Sequence, residues 1–249
     1  AEQGARLLAE IAPTHLLHLA WYTEPGKYWT ATENLAWVRA SLELLAAFVR
    51  AGGRRVVLAG TCAEYDWTGN GLCDEAQTPL RPATLYGTCK DALRQMLEAY
   101  ARQTDLSAAW GRIFFLYGPH EYPQRLVAAV VRGLLRRERV PCSQGTQLRD
   151  FLYVQDVAEA FVALLESDVQ GAVNIASGQG VMLREMVDKI AAELAGRDLV
   201  EFGALPNAAG EPARLVAAVK RLREEVGWQP RFTLDEGLAR TIAWWRAHV

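Results

Sequence analysis

Short apolar runs alternate along this chain with longer stretches in which apolar residues recur at helical spacing. The apolar runs predict buried strands at residues 15–20, 54–60 and 107–118. The periodic stretches predict helices at residues 33–50, 86–103 and 126–137. Alternation of this kind is typical of a parallel sheet with helices on both faces. We therefore predict an α/β fold built on a doubly wound parallel sheet.

The pattern changes after about residue 140, where the predicted elements become shorter and less regular. Strands are predicted at residues 149–154, 172–177 and 199–204. Helices are predicted at residues 156–167, 183–195, 220–226 and 234–248. We divide the chain into residues 1–140 and a smaller mixed lobe of residues 141–249, which is interleaved with the last elements of the core.

Charge and composition exclude several classes of protein. The 249 residues are 51% hydrophobic and carry a formal net charge of −2, with both signs interspersed. This distribution favours neither a nucleic-acid nor a membrane partner. The four cysteines form no CxxC pair, so we expect reduced thiols, no metal site and a cytoplasmic location.

The pattern Tyr86-Gly87-Thr88-Cys89-Lys90 carries candidate chemistry near a predicted helix start. Residues four apart lie on one face of a helix, so the ammonium of Lys90 faces the phenol of Tyr86. A neighbouring positive charge favours the phenolate, which allows a tyrosine to exchange protons with an alcohol. Thr61 follows the strand at 54–60, at the sheet edge where ligands of parallel α/β sheets bind. We predict Thr61, Tyr86 and Lys90 as the catalytic set.

Several motifs in one order resemble a known family. The segments HLAW, VVLAGTCAEY, PATLYGTCK, GRIFFLYGP, RDFLYVQDVAEA and GAVNIASG are similar to the extended short-chain dehydrogenase/reductases. These are the NAD-dependent epimerase/dehydratase proteins, which mostly act on nucleotide sugars. The resemblance implies a Rossmann-type cofactor domain in residues 1–140, a substrate-binding lobe in 141–249, and NAD or NADP as cofactor.

The resemblance also implies a role for individual residues. Thr61 falls at the catalytic Ser/Thr, Tyr86 at the general acid/base, and Lys90 at the residue that binds the nicotinamide ribose. Together with Tyr86 and Lys90, the implied cofactor-binding residues are Leu19, Ala20, Trp21, Thr23, Asn34, Ala59 and Phe114. Together with Thr61, the implied substrate-binding residues are Phe115, Arg125 and Arg149.

Some of these residues also have a purely structural interpretation. An arginine such as Arg149 suits a nucleotide diphosphate because its planar fork matches phosphate oxygens. Arg125 is equally consistent with a solvated surface charge, and Asn34 with a helix cap. Arg112 is expected to form a structural ion pair, and Trp244-Trp245 to pack the last helix on the core.

The chain departs from the family pattern at its front. No GxxGxxG or GxGxxG motif occurs, and Gly69-Asn70-Gly71 is a turn that does not replace it. The residue that selects NAD or NADP follows the second strand of the family and is not found either. We expect about 50 further residues, more than one βαβ unit, ahead of Ala1.

A second departure bears on the reaction. Sugar-nucleotide dehydratases carry Asp and Glu directly after the catalytic Thr, where this chain has Cys62 and Ala63, with Glu64 one position further. Elimination is therefore disfavoured relative to epimerisation or 4-keto reduction. Phe115 replaces an Asn that often binds the substrate in this family, and Ala218 stands where the family often has an Asp. The identity of the sugar therefore stays open.

We expect an NAD(P)-dependent oxidoreductase or epimerase of a nucleotide sugar. A first alternative is a non-catalytic or truncated family member that acts through a dimer or another partner. Helices at 33–50 and 82–103 resemble the family's four-helix dimer interface, which predicts a homodimer. Further alternatives are a reductase of a small carbonyl compound, against which Arg149 argues, and a sugar-nucleotide dehydratase.

Overall fold

The computed structural model describes residues 2–69, 71–207 and 210–249. Its helices are α1 (Glu2–Ile11), α2 (Glu33–Arg50), α3 (Leu85–Ala101), α4 (Leu126–Leu135), α5 (Val154–Glu166), α6 (Leu183–Glu193) and α7 (Leu234–Arg246). Its strands are β1 (His15–His18), β2 (Arg55–Thr61), β3 (Ser107–Ile113), β4 (Phe115–Tyr117), β5 (Val140–Cys142), β6 (Leu148–Tyr153), β7 (Gly171–Ile175), β8 (Gly180–Met182), β9 (Val200–Phe202) and β10 (Arg214–Leu215). The turn predicted at Gly69-Asn70-Gly71 includes Asn70, which lies outside the described residues.

The main sheet is parallel, with strand order β1-β2-β3-β7. Its central strand β2 is buried along its whole length, as its unbroken apolar run predicts for a strand covered on both faces. Helices α2 and α3 connect β1 to β2 and β2 to β3. The α/β prediction is confirmed, with strands and helices alternating as in a doubly wound Rossmann-type fold.

Each face of this sheet contributes to a separate hydrophobic cluster. Alternate residues of β2 point to opposite faces, so Val56 and Leu58 pack with α2 and α3. Val57 and Ala59 pack with α5 on the other face. The two clusters pack against opposite faces of the sheet and so fix the position of the end of β2, where Thr61 lies.

The remaining strands form two smaller sheets. One has the order β10-β6-β4, with β8 antiparallel to β6, and the other pairs β5 with β9. Helices α4, α6 and α7 cover them around a third cluster. Trp245 is buried in this cluster and Trp244 packs against it, which confirms the predicted packing of the last helix.

One predicted element was wrong. The single strand predicted at 107–118 is two strands, because the chain leaves the main sheet at Phe114 and β4 pairs with β6 instead. The helical stretch predicted at 220–226 is present as a five-residue π-helix, Arg221–Glu225, which ends before Gly227 with its positive φ of 75°. The bounds predicted for α2 are confirmed at both ends.

None of the helices in the described residues is long and apolar enough to cross a membrane. The described residues also contain no group of three or more His, Cys, Asp or Glu side chains arranged to hold a metal ion.

The start of α3 approaches the end of β2 so closely that position 87 requires glycine. A Cβ on Gly87 would lie 2.5 Å from the carbonyl oxygen of Ala63 and 2.9 Å from Cβ of Pro82. We expect Gly87→Ala to lower the free energy of unfolding by about 1–3 kcal/mol, as overpacking does in a tight contact. Urea unfolding measures the change.

Gly4→Ala is the matched control, because a Cβ at this position in α1 meets no atom within 4 Å. It should be neutral or slightly stabilising, since alanine favours a helix over glycine. Equal effects of the two substitutions would contradict the close approach.

Candidate active site

The candidate site forms where β2 ends. Thr61 is the last residue of β2 and caps the 3₁₀ turn Cys62–Glu64, with its Oγ1 accepting a hydrogen bond from the Ala63 amide at 3.2 Å. Thr84 caps α3 by accepting from the Gly87 amide at 3.1 Å. The two caps fix the backbones of Thr61 and of the first turn of α3.

The structure brings the three predicted catalytic residues together. Tyr86 is the second residue of α3, and its phenol lies near enough to the Thr61 side chain to interact with it. Lys90 lies one helical turn further, and its Nζ donates to the carbonyl oxygen of Ala59 at 2.8 Å. All three residues are at most 8% exposed. The arrangement places a hydroxyl, a phenol and an amine near the end of β2.

Burial shifts the pKa of both titratable members. Desolvation raises the pKa of Tyr86 well above its usual value, and the hydrogen bond with Thr61 opposes that rise. Desolvation lowers the pKa of Lys90 to about 7, and the negative charge of Glu64 opposes that fall. Lys90 is therefore poised to change its charge near neutral pH, while Tyr86 holds its proton.

Trp21 covers Lys90 from the loop after β1. The Lys90 Nζ lies 3.8 Å from the centre of the Trp21 ring, a cation–π geometry. The indole Nε1 donates to Oδ1 of Asn34 at 2.7 Å. Asn34 also donates to the carbonyl oxygens of Tyr28 and Ala31 at 2.7 and 2.8 Å. Asn34 is not the cap of α2, a position held by Thr32; it lies inside the helix and fixes the loop that carries Trp21.

Aromatic side chains that the sequence interpretation missed surround Tyr86. Tyr28 and Trp29 meet its ring edge-on at centroid distances of 4.9 and 5.8 Å. Trp67 meets Trp29 edge-on at 6.0 Å. The signal was present in the run WYTEPGKYW, which holds four of the chain's aromatic residues within nine positions. A wall of this kind shields the phenol from water.

The other predicted cofactor-binding residues are more dispersed. Ala59 is buried in β2 and contributes its carbonyl to Lys90. Leu19, Ala20 and Thr23 are exposed in the loop after β1. Phe114 is buried in the core, with its ring 6.3 Å from that of Tyr65.

The predicted substrate-binding arginines differ in their surroundings. Arg149 is 1% exposed, and its Nη2 donates to the Glu211 carboxylate at 2.7 Å. Its guanidinium lies 5.4 Å from the ring centre of Phe115. Arg125 is half-buried, with its guanidinium 6.0 Å from the ring centre of Tyr28. Phe115 and Tyr28 thus each present an aromatic face to one arginine.

Glu121 is a further group that the sequence did not indicate. Burial raises its pKa to about 7, and Arg125 opposes the rise. Within the described part of the chain, its Oε2 is buried without a hydrogen-bond partner. Among the polar residues of HEYPQR nothing in the sequence distinguishes it from a surface carboxylate.

Arg112 forms the predicted structural ion pair. Its Nε lies 2.7 Å from Oε2 of Glu64, and both side chains are almost fully buried. The Glu64 carboxylate also accepts from the Thr61 amide at 2.9 Å. The ion pair therefore lies directly beneath the catalytic set.

Comparison with known proteins gives relatives for this architecture. A UDP-glucose 4-epimerase of Mycolicibacterium smegmatis is 29% identical over 250 residues, which cover 96% of this chain and 78% of the relative. UDP-glucuronic acid decarboxylase 1 of Danio rerio is 28% identical over 203 residues, covering 76% of this chain. The chain spans about half of that relative's length, 47%.

A solved structure described as MoeE5 in complex with UDP-glucuronic acid and NAD superposes with a TM-score of 0.85 at 30% identity. The match covers 99% of this chain and 83% of that one. The family model described as the NAD dependent epimerase/dehydratase family matches residues 1–176, well over half of the chain. The chain therefore belongs to the NAD-dependent epimerase/dehydratase family, within the extended short-chain dehydrogenase/reductases.

Proposed function

We propose that this protein is an NAD(P)-dependent oxidoreductase or epimerase of a nucleotide sugar. The observation that carries the proposal is that Tyr86 lies beside Thr61 at the end of a parallel strand, while Lys90, one helical turn further, reaches the carbonyl of Ala59 in the same strand. Relatives that act on UDP-sugars support the substrate class, since the named proteins are a UDP-glucose epimerase and a UDP-glucuronic acid decarboxylase.

The donor set of the site fits the nicotinamide half of such a cofactor. An ammonium has three protons, and Lys90 uses one of them on the Ala59 carbonyl. The other two suit the hydroxyls of a ribose, beside the aromatic ring of Trp21. When bound, the nicotinamide supplies the two-electron redox chemistry that no side chain provides.

The residues of the chain move and hold the proton. Thr61 orients the reacting oxygen of the sugar beside the Tyr86 phenol, with which its side chain already interacts. Tyr86 takes the hydroxyl proton as the sugar is oxidised and returns it on reduction. A positive charge on Lys90, one helical turn from Tyr86, would favour the phenolate.

Epimerisation or 4-keto reduction is proposed in preference to elimination of water. Elimination needs an acid and a base that reach the sugar, and Cys62 and Ala63 supply neither. Glu64 is fully buried and bound to Arg112, so its carboxylate is not free to face a substrate.

Arg149 is the proposed contact for the nucleotide diphosphate. Its guanidinium is held by Phe115 on one side and by Glu211 on the other, so that its fork is oriented before a ligand binds. Glu211 is about one-third exposed, and its carboxylate shows that the fork accepts an anion. A small carbonyl compound has no need of such a group.

We also propose a homodimer formed through α2 and α3. The two helices pack side by side on one face of the main sheet. Leu35 on α2 is 58% exposed and Met96 on α3 is 37% exposed, so both helices present apolar side chains outward.

Tyr86→Phe tests the acid/base role. We expect kcat with UDP-glucose or another accepted nucleotide sugar to fall by about 10²- to 10⁴-fold, because the proton acceptor is removed and the ring is kept. Circular dichroism and cofactor binding should be unchanged. Tyr100→Phe, on the same helix, is the matched control and should keep full activity. Full activity of Tyr86→Phe would refute the assignment.

Lys90→Met separates function from stability. The pKa of Lys90 in the folded protein, about 7, lies below the ordinary 10.5. Below pH 7 the buried ammonium is charged, and the folded protein then bears the whole cost of burying it. That cost is relieved as pH rises from about 7 towards 10.5. We expect the variant to lose activity yet to gain about 1–3 kcal/mol of stability at pH ~6, a gain that shrinks by pH ~10.

Thermal unfolding across this pH range measures the effect. Lys27→Met is the control, because the Lys27 side chain is 67% exposed and should leave stability unchanged. A loss of stability in Lys90→Met at acidic pH would contradict the buried ammonium.

Arg149→Met tests the diphosphate contact. We expect KM for UDP-glucose to rise about tenfold or more with little change in kcat, because binding common to ground and transition states is removed. Steady-state kinetics measure both constants. Arg50→Met, at the exposed end of α2, is the control. An unchanged KM would show that Arg149 does not bind the substrate.

A further inference from the structure

We propose that Glu64 is the positioning residue of the catalytic set, whose buried carboxylate both fixes the Thr61 backbone and keeps the Lys90 side chain charged. The inference rests on the proposed function, because it assigns a role relative to Thr61, Tyr86 and Lys90. Glu64 does not touch the substrate in this account and acts through its neighbours.

Hydrogen-bond donors occupy both oxygens of the Glu64 carboxylate. Oε1 accepts from the Thr61 amide at 2.9 Å and from the Trp110 indole at 2.9 Å. Oε2 accepts from Nε of Arg112 at 2.7 Å and from the same indole at 3.1 Å. A carboxylate with this many donors is held in one orientation.

The anion and the Lys90 ammonium act on neighbouring peptide groups of β2. Lys90 donates to the carbonyl of Ala59, and Glu64 accepts from the amide of Thr61, two residues further along. The attraction of Glu64 opposes the effect of burial on the pKa of Lys90. A negative charge in a dry site favours the charged form of a neighbouring ammonium.

Glycine at position 60 makes this placement possible. A Cβ on Gly60 would lie 2.7 Å from Oε1 of Glu64 and would also overlap the Trp110 indole. The carboxylate therefore occupies the space above the backbone between Ala59 and Thr61, the two residues that hold Lys90 and carry the reactive hydroxyl.

Other titratable groups near Lys90 come from three elements. His18 of β1 interacts with Lys90, and burial together with that charge lowers the His18 pKa to about 4, so it is neutral at the pH of an assay. Tyr86 precedes Lys90 by one turn on α3. Arg112 of β3 is neutralised by its ion pair. Glu64 supplies the opposing negative charge.

The charge state of Lys90 is directly measurable. The chain contains four lysines, Lys27, Lys90, Lys189 and Lys220. The side chains of the other three are between 34% and 78% exposed. Carbon-13 NMR of lysine-labelled protein therefore resolves Lys90 by its titration near pH 7.

In Glu64→Gln we expect the Lys90 midpoint to fall by about one pH unit, because the charge is lost while an oxygen still accepts from the Thr61 amide. An unchanged Lys90 midpoint in the folded variant would overturn the proposal. Asp156→Asn is the matched control, since Asp156 is fully buried but accepts from the amides of Arg231 and Phe232 instead. It should leave Lys90 unshifted.

Glu64→Gln leaves Arg112 buried without its carboxylate, which can prevent folding. The double variant E64Q/R112Q removes this imbalance and is compared with R112Q alone, because both variants lack the positive charge of Arg112 and differ only at Glu64. The Lys90 midpoint should be lower in the double variant than in R112Q, and equal midpoints would also overturn the proposal.

The pH dependence of kcat separates this inference from the proposed function. In Glu64→Gln the alkaline limb of the kcat–pH profile should move to lower pH by as much as the Lys90 midpoint does, because Lys90 then loses its charge at a lower pH. KM for the nucleotide sugar should be unchanged. A shifted Lys90 midpoint with an unshifted limb would refute a catalytic role for Lys90, and with it Glu64 as a positioning residue for catalysis, while the electrostatic coupling stands.

Discussion

The buried ion pair between Glu64 and Arg112 is the constraint on which the site depends. Burying two charges costs several kcal/mol per ion unless hydrogen bonds satisfy them, and here both are satisfied. Arg112 also donates to the Tyr65 hydroxyl at 3.1 Å, and that hydroxyl donates to Oδ1 of Asn174 at 2.8 Å. The pair therefore ties the end of β2 to β3 and, through Asn174, to β7.

This network explains why the reactive groups can be close and yet buried. The 3₁₀ turn that follows β2 brings Glu64 back over its own strand, which stops the strand at Thr61. Gly87 lets α3 approach that turn, so that Tyr86 meets Thr61 from the helix side and Lys90 reaches the carbonyl of Ala59. Backbone contacts between the turn after β2 and the start of α3 thus determine where the side chains of Thr61, Tyr86 and Lys90 lie.

The sequence predicted the elements with strong periodicity and the approach of Tyr86 and Lys90 to the end of β2, and the catalytic role of Thr61, Tyr86 and Lys90 stays a prediction. Their positions follow from rules that act locally, namely the i, i+4 spacing of Tyr86 and Lys90 and the end of a buried strand. It did not predict the break at Phe114, because a strand that changes sheets keeps the same apolar pattern. Nor did it predict the role of Asn34 in holding Trp21, or the burial of Glu121, since both depend on which loops meet in space.

The central claim is that this site oxidises or reduces a nucleotide sugar. The most direct measurement is rapid mixing of the protein and its nicotinamide cofactor with UDP- and dTDP-sugars, followed by nicotinamide absorbance. The account predicts a saturable change in absorbance with at least one nucleotide sugar and none with simple ketones. A change with simple ketones alone, or no change with any sugar while the cofactor is bound, would contradict it.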